Sequence, residues 1–186
     1  MNRSTRSLQT SRQQRGFSLV EGLVATAITA TLAAVGVPNL QQFRDAQAID
    51  AQFERLNASL RLARSESLTR DEVVSVCAAD PATVDSDSPE CRRGSKDWSG
   101  GWLVFVDRGQ RGQVDEGDLV LKVHQPPAGS GAVLGTQRYL TYRPAGVMLS
   151  IAAHFRFIPP GQPVVDEAVP GSALVCVNKP GKARMA

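Results

Sequence analysis

One stretch limits what this chain can become more than any other. From Phe17 to Val37 there are 21 residues, and Glu21 is the only ionisable one. A helix of that length spans roughly 30 Å, the thickness of a bilayer's hydrocarbon core. Upstream lie Arg3, Arg6, Arg12 and Arg15 and no acid, so the positive-inside rule keeps the N-terminus cytoplasmic. A carboxylate in such a helix costs about 2.5–3.5 kcal/mol on insertion scales. Nothing nearby in sequence pairs with Glu21. Either it sits close enough to the interface to stay hydrated, or its partner arrives on assembly. A secretory signal peptide also joins a basic flank to an apolar core. Ala25, Ala27, Ala30, Ala33 and Ala34 could supply its small-residue cleavage site.

Beyond the apolar run the period changes. Pro38 after Gly36 marks a bend or a weak helical turn. Leu40, Phe43, Ala46, Ile49, Phe53, Leu56, Leu60 and Ala63 then recur at spacings of three and four, as one apolar stripe of a helix packing on its own core. The combined helix is expected from about Ser18 to Thr69. Strands are expected at 73–77, 101–107, 118–124, 138–143, 154–158 and 173–178, with a break at 126–131. The expected fold class is α+β, a long helix whose C-terminal half packs on an antiparallel sheet. Three parts follow: 1–16 as a leader, 17–40 as the membrane segment, and 41–186 as one globular domain outside the cytoplasm.

The formal charge of +3 suggests a nucleic-acid or membrane-surface partner. Four of the 21 basic residues lie in the leader, which has no acid. Without it the chain holds 17 basic and 18 acidic side chains, a net of −1. An anion-binding role therefore needs a local patch. Cys77 and Cys91 enclose 13 residues rich in turn formers, and outside the cytoplasm they are the pair expected to bridge. Cys176 is expected as a buried thiol. No metal or cofactor is expected: paired CxxC spacing is missing and His124 and His154 stand alone. Asp107, Asp115 and Asp118 flank a Gly-rich turn, but the spacing fails the EF-hand pattern, so a solvated hairpin turn is expected. No nucleophile, base and orienting group converge in the pattern, so no enzyme is expected and no catalytic residue is named.

Gly16-Phe17-Ser18-Leu19-Val20-Glu21 resembles the processing motif of type IV pilins and pseudopilins. The resemblance implies that a prepilin peptidase cuts after Gly16 and methylates the new amine of Phe17. It also implies that Glu21 neutralises a neighbouring subunit's amine during assembly. Gly22 departs from the bulky residue common there. Leu62-Ala63-Arg64-Ser65-Glu66, Val74-Ser75-Val76-Cys77 and the run from Trp98 through Ser99-Gly100-Gly101-Trp102 to Asp107 are similar to the FimT/FimU/GspH group of minor pilins and pseudopilins. That resemblance implies a low-abundance subunit that primes or caps a filament, partnered by other major and minor pilins and by the inner membrane. Trp98, Trp102 and Phe105 are read as core.

After Glu167 no acid remains, yet Lys179, Lys182 and Arg184 fall within six positions. Gly181-Lys182-Ala183-Arg184 resembles the GRxR tail of FimT-type minor pilins, which implies DNA contact during natural transformation. Lys182 stands where that motif has arginine, keeping the charge but losing bidentate geometry. The alternative for this segment is a frayed C-terminus. For the whole chain the expectation is a minor pilin of the type IV pilus, inserted in the inner membrane with its domain in the periplasm. The alternatives are a GspH-like pseudopilin of type II secretion, a DNA-binding module merely delivered by pilin features, and a secreted soluble protein.

Overall fold

A computed structural model describes residues 17–150, 152–165, 167 and 169–185, with the side chains at 35 and 37–39 also outside the description. Gly16 and the expected leader lie outside the described residues. One helix, α1 (Leu19–Arg70), precedes eight strands: β1 (Val74–Ala78), β2 (Trp102–Val106), β3 (Leu119–His124), β4 (Ala132–Gly135), β5 (Tyr139–Tyr142), β6 (Ala153–Ile158), β7 (Ala173–Val177) and β8 (Ala183–Met185). The chain divides into two compact units, Met1–Leu40 and Gln41–Ala186.

In the first unit the helix is capped by Ser18, whose Oγ accepts the Glu21 N–H at 3.2 Å. Helical assignment continues through Pro38. Leu19, Val20, Leu23, Val24, Ile28 and Leu32 are all exposed. Among the described residues no helix is long and apolar enough to cross a membrane. The expected span, 17–40, includes the four positions whose side chains lie outside the description.

The second unit is the expected α+β arrangement, with its antiparallel strands split between two sheets. Their orders are β3-β2-β1-β5 and β4-β6-β7-β8. The helix ends at Arg70, where Asp71 takes a left-handed conformation (φ 56°) and releases the chain into β1. The buried stripe starts later than the sequence suggests. Ile49, Leu56, Leu60 and Ala63 are buried in a cluster with Val76, Trp102, Val104, Leu140, Phe155 and Val175. Leu40 and Phe43 remain 51% and 60% exposed, because the sheets' cluster begins to meet the helix only at Ile49.

Both sheets contribute an inner face to that cluster, but their outer faces differ. On the first sheet Cys77, Leu103 and Phe105 form a second small core with Ala79, Val84 and Cys91. Strand β2 is consequently buried at all five positions, as a strand covered on both faces must be. On the second sheet β6 alternates buried Ala153, Phe155 and Phe157 with exposed His154 and half-buried Arg156. Two strands are additional to those expected. The four-residue β4 has a Gly at its end and follows a Pro/Gly break, and β8 contains Ala, Arg and Met. Neither carries a β-branched run long enough to read, and each is recruited by pairing, with β6 and β7 respectively.

The Trp-Ser-Gly-Gly-Trp motif is a packing device. Gly101 has φ 107°, and a Cβ there would meet the His124 carbonyl oxygen at 2.1 Å, so β2 and the end of β3 approach this closely only around glycine. Trp98 and Trp102 are fully buried; each is worth roughly 4–6 kcal/mol as an upper bound from area. Their indole N–H groups donate to the Gln137 carbonyl (2.9 Å) and to Ser59 Oγ (3.0 Å). Trp98 meets the Phe155 ring edge-on, centroids 5.0 Å apart.

The Trp102 ring also lies 4.0 Å from the His124 ring, centroid to centroid. Burial, then the charges of Arg55 and Lys122, push the imidazole down to about 4 from 6.5. His124 is therefore neutral in the fold, whereas the unfolded chain protonates it near 6.5. Its contribution to stability is complete above that value and is lost as pH falls from about 6.5 to about 4. Urea titrations at pH 7.5 and 5.0 are expected to show wild-type weakening at the lower pH, and His124→Gln weakening much less. Equal weakening of both proteins would exclude His124 as the source.

Candidate functional site

Two groups of residues were marked by the sequence, one at each end of the chain. At the N-terminal end Phe17 is 82% exposed, and Glu21 lies in the first turn of α1. An acid there is favoured by the helix dipole and by the free N–H groups of the first turn. Three threonines farther along hide their hydroxyl protons. Thr26 Oγ1 donates to the Gly22 and Leu23 carbonyls (3.0 and 2.9 Å), Thr29 to Ala25, and Thr31 to Ala27 (2.8 Å). These three hydroxyls are thus satisfied inside the helix.

At the C-terminal end residues 183–185 form a strand, which sets aside the alternative of a frayed end. Asn178 builds the turn: its carbonyl accepts the Gly181 N–H (2.7 Å) and its Oδ1 accepts the Lys182 N–H (2.8 Å). Strand β8 then pairs antiparallel with β7, Ala183 opposite Val177 and Arg184 opposite Cys176. Cys176, expected buried, is half-buried, because β7 turns Val175 and Val177 inward and leaves Cys176 on the sheet's uncovered face.

Residues 181–184 line one wall of a cleft of about 390 Å³. Asn57, Arg61 and Arg64 form the other, and their spacing of four and three puts them on one face of α1. Arg64 Nη1 donates to the Pro180 carbonyl at 2.9 Å, tying helix to turn. Four cations, Arg61, Arg64, Lys182 and Arg184, line this cleft with no acid among its lining residues. Lys179, grouped with the tail by sequence, is not in the lining. In the sequence Arg61 and Arg64 stand as polar spacers in the helix, Arg64 also within the Leu62–Glu66 stretch similar to the pilin group, and neither is marked as a site residue. Their three-residue spacing, matched against a basic tail, was the signal available.

Tyr142 lies against Gly181 of the cleft wall. It is fully buried, and among the described residues its hydroxyl has no hydrogen-bond partner. A Cβ on Gly181 would sit 2.5 Å from that hydroxyl. Burial pushes the phenol above its ordinary pKa, and the charge of Arg64 works in the other direction. The cleft therefore offers three guanidinium groups and one ammonium group, a chemistry suited to phosphate or carboxylate oxygens.

The remaining polar residues serve the fold. Asp107 is buried, not solvated as expected. Its Oδ2 accepts from Ser75 Oγ (2.5 Å) and the Gly112 N–H (2.8 Å), and Ser75 Oγ lies 2.8 Å from Thr141 Oγ1. Asp115 accepts from the Gln110 N–H and Asp118 from the Arg108 N–H, so these carboxylates shape the turn. Cys77 and Cys91 are joined, with Cα atoms 5.7 Å apart. Among the described residues no group of three or more His, Cys, Asp or Glu could hold a metal ion.

Residues 52–184 match the family described as type II transport protein GspH. Residues 11–37 match the prokaryotic N-terminal methylation motif. No curated protein matches the chain. The crystal structure of the type IV minor pilin FimU from Pseudomonas aeruginosa (strain PAO1), in space group P21, is similar. It aligns with a TM-score of 0.53 and 19% identity, over 77% of this chain and 92% of that one. The same pilin in space group P65 aligns with a TM-score of 0.49 and 18% identity, over 74% and 91%. At 19% identity the first of these shows the fold.

Because Gly181 combines φ 75° with that close approach to Tyr142, Gly181→Ala is expected to cost on the order of 1–3 kcal/mol. Gly161→Ala, also at positive φ but with open space around it, is expected to cost less. Urea unfolding of the two variants measures the difference, and equal losses would remove the Tyr142 contact as the cause.

Proposed function

The chain belongs to the GspH family, and on that premise we propose that it is a minor pilin of the type IV pilus. The observation that carries this is the order of two matches on one chain, an N-terminal methylation motif at 11–37 followed by the GspH family at 52–184. In this reading a prepilin peptidase cleaves after Gly16 and methylates Phe17. The helix from Phe17 to Leu40 then holds the subunit in the inner membrane until assembly. The basic flank supports that orientation. The internally bonded threonines support burial of the segment in lipid or in a filament core.

Glu21 supplies the assembly step. One carboxylate in an apolar helix is tolerable when a sister subunit's terminal amine meets it. The mature protein is expected to begin at N-methylated Phe17 by mass spectrometry of its terminal peptide. Glu21→Ala is expected to leave the membrane-bound amount unchanged and to lower several-fold the amount recovered in sheared filaments. A mature terminus beyond Ala30 would indicate a secreted soluble protein. Normal incorporation of the variant would remove the charge-pairing role.

A second reading, the pseudopilin of a type II secretion system, is favoured by the family's own description. The likeness of fold to FimU, a type IV minor pilin, favours the first. A deletion strain that loses filaments while retaining secretion supports the pilus, and the opposite pattern supports secretion.

Within the pilus reading, the cleft of Arg61, Arg64, Lys182 and Arg184 contacts DNA phosphates without reading bases. Four phosphate contacts would give a salt slope of about −3.6 on duplex DNA, so single-subunit binding is weak and gains from several subunits acting together. In gel shifts of the full chain in detergent at low salt, the quadruple alanine variant at those four positions is expected to lose binding. Lys179→Ala is expected to lose little. No shift at all, or an unchanged shift in the quadruple variant, would overturn DNA contact at the cleft.

A further inference from the structure

A second basic recess lies on the other side of the β3-β2-β1-β5 sheet, on the face that carries the small core of Cys77, Leu103 and Phe105. It is a cavity of about 270 Å³ lined by Arg92, Arg93, Arg111, Arg138 and Tyr139, with Cys91 in its wall and no acid among its lining residues. An adjoining cavity of about 350 Å³ shares Arg111, Arg138 and Tyr139. The two form one groove.

The arginines reach it from three separate segments. Arg93 stands two residues past Cys91, just outside the loop that the Cys77–Cys91 bridge closes and anchored by it. Arg111 comes from the turn between β2 and β3, and Arg138 from the residue before β5. Arg92 is already engaged, 2.7 Å from Asp97. Arg93, Arg111 and Arg138 are exposed, and among the described residues none of them forms an ion pair. Arg111 feels the charge of Asp107, which is itself buried and bonded to Ser75 and Gly112.

Bringing three guanidinium groups to one concave surface costs repulsion that a counter-anion relieves. Guanidinium forks match phosphate oxygens two at a time, which a lysine cannot do. Four arginines and no lysine line the recess. The volume suits a compact anion and not a duplex. We propose that this recess binds a phosphate-bearing anion of one or two phosphate groups, with the Cys77–Cys91 bridge holding the Arg93 wall in place. This is independent of the DNA reading, which rests on different residues.

The test is isothermal titration of the full chain in detergent with inorganic pyrophosphate at low salt, against sodium chloride of matched ionic strength. Saturable binding near one per chain is expected with pyrophosphate only. Arg111→Ala and Arg138→Ala are each expected to weaken it by roughly 10-fold or more, the range for losing a charged hydrogen bond. Arg184→Ala is expected to leave it unchanged. The Cys77→Ser, Cys91→Ser double variant is expected to weaken it as Arg93→Ala does. Arg93→Ala retains the bridge and tests the same wall if the double variant does not fold. Absence of saturable binding, or parental affinity in both Arg111→Ala and Arg138→Ala, overturns the proposal. Loss of binding in Arg184→Ala would reassign it to the C-terminal cleft.

Discussion

The contact of Trp102 with the helix holds the domain in register. Its indole N–H donates to Ser59 Oγ, and Ser59 Oγ donates in turn to the Arg55 carbonyl one turn earlier. A buried indole needs an acceptor, and a buried serine in an apolar stripe needs a reason. Each supplies the other. On the sheet side Trp102 is paired with Ala78 of β1 and His124 of β3. One side chain thus fixes the rotation of α1 and the register of three strands. Strand β1 then sets β5 and Tyr142, on which the Gly181 turn rests. The C-terminal cleft depends on this chain of contacts, although Trp102 is absent from its lining.

Much of this was legible in the sequence where a residue type has one common use. The Val-rich and aromatic runs at 73–77 and 101–107 read as strands and form β1 and β2 within a residue of those bounds, and the turn-rich span between Cys77 and Cys91 invited closure. Polar residues inside the core were not legible. Gln52, Ser59, Ser67 and Asp107 are buried, yet in sequence each resembles a solvated residue. Gln52 Nε2 donates to Ser130 Oγ (2.7 Å), 78 residues away. Hydrogen-bond partners make such burial affordable, and those of Gln52, Ser59 and Asp107 include residues far away in the chain, which a linear pattern does not contain.

The tail failed as a pattern for a related reason. Ala-Arg-Met has no preference for extended structure, but it inherits one from β7, whose free edge offers unpaired backbone groups. Pairing then turns a loose basic segment into an oriented one. Alternation along β8 puts Lys182 and Arg184 on the same side, opposite Ala183, and Ala183 packs against the main core. A frayed tail could sample anions with its three cations one at a time. The paired strand instead holds Lys182 and Arg184 in the lining of one cleft with Arg61 and Arg64.

The charge balance gains its meaning from where the acids lie. A chain near neutrality after Gly16 could have spread its arginines evenly among its carboxylates. Instead Glu66, Glu72 and Asp97 engage Arg70, Arg108 and Arg92, while Asp107, Asp115 and Asp118 accept backbone N–H groups within the β2–β3 turn. Burial opposes the Asp97 carboxylate, but hydrogen bonds from Ser99 and the Arg92 guanidinium hold its pKa below the ordinary value, so this acid stays charged and committed to its own loop. Placement decides which cations stay uncompensated: Arg92 has Asp97 and Arg111 feels Asp107, whereas Arg93 and Arg138 form no ion pair among the described residues. The net charge of the domain therefore has little bearing on its anion chemistry. That chemistry is decided by two places, the α1–β8 cleft and the groove beside the disulfide, where arginines line a surface and no acid is among the lining residues.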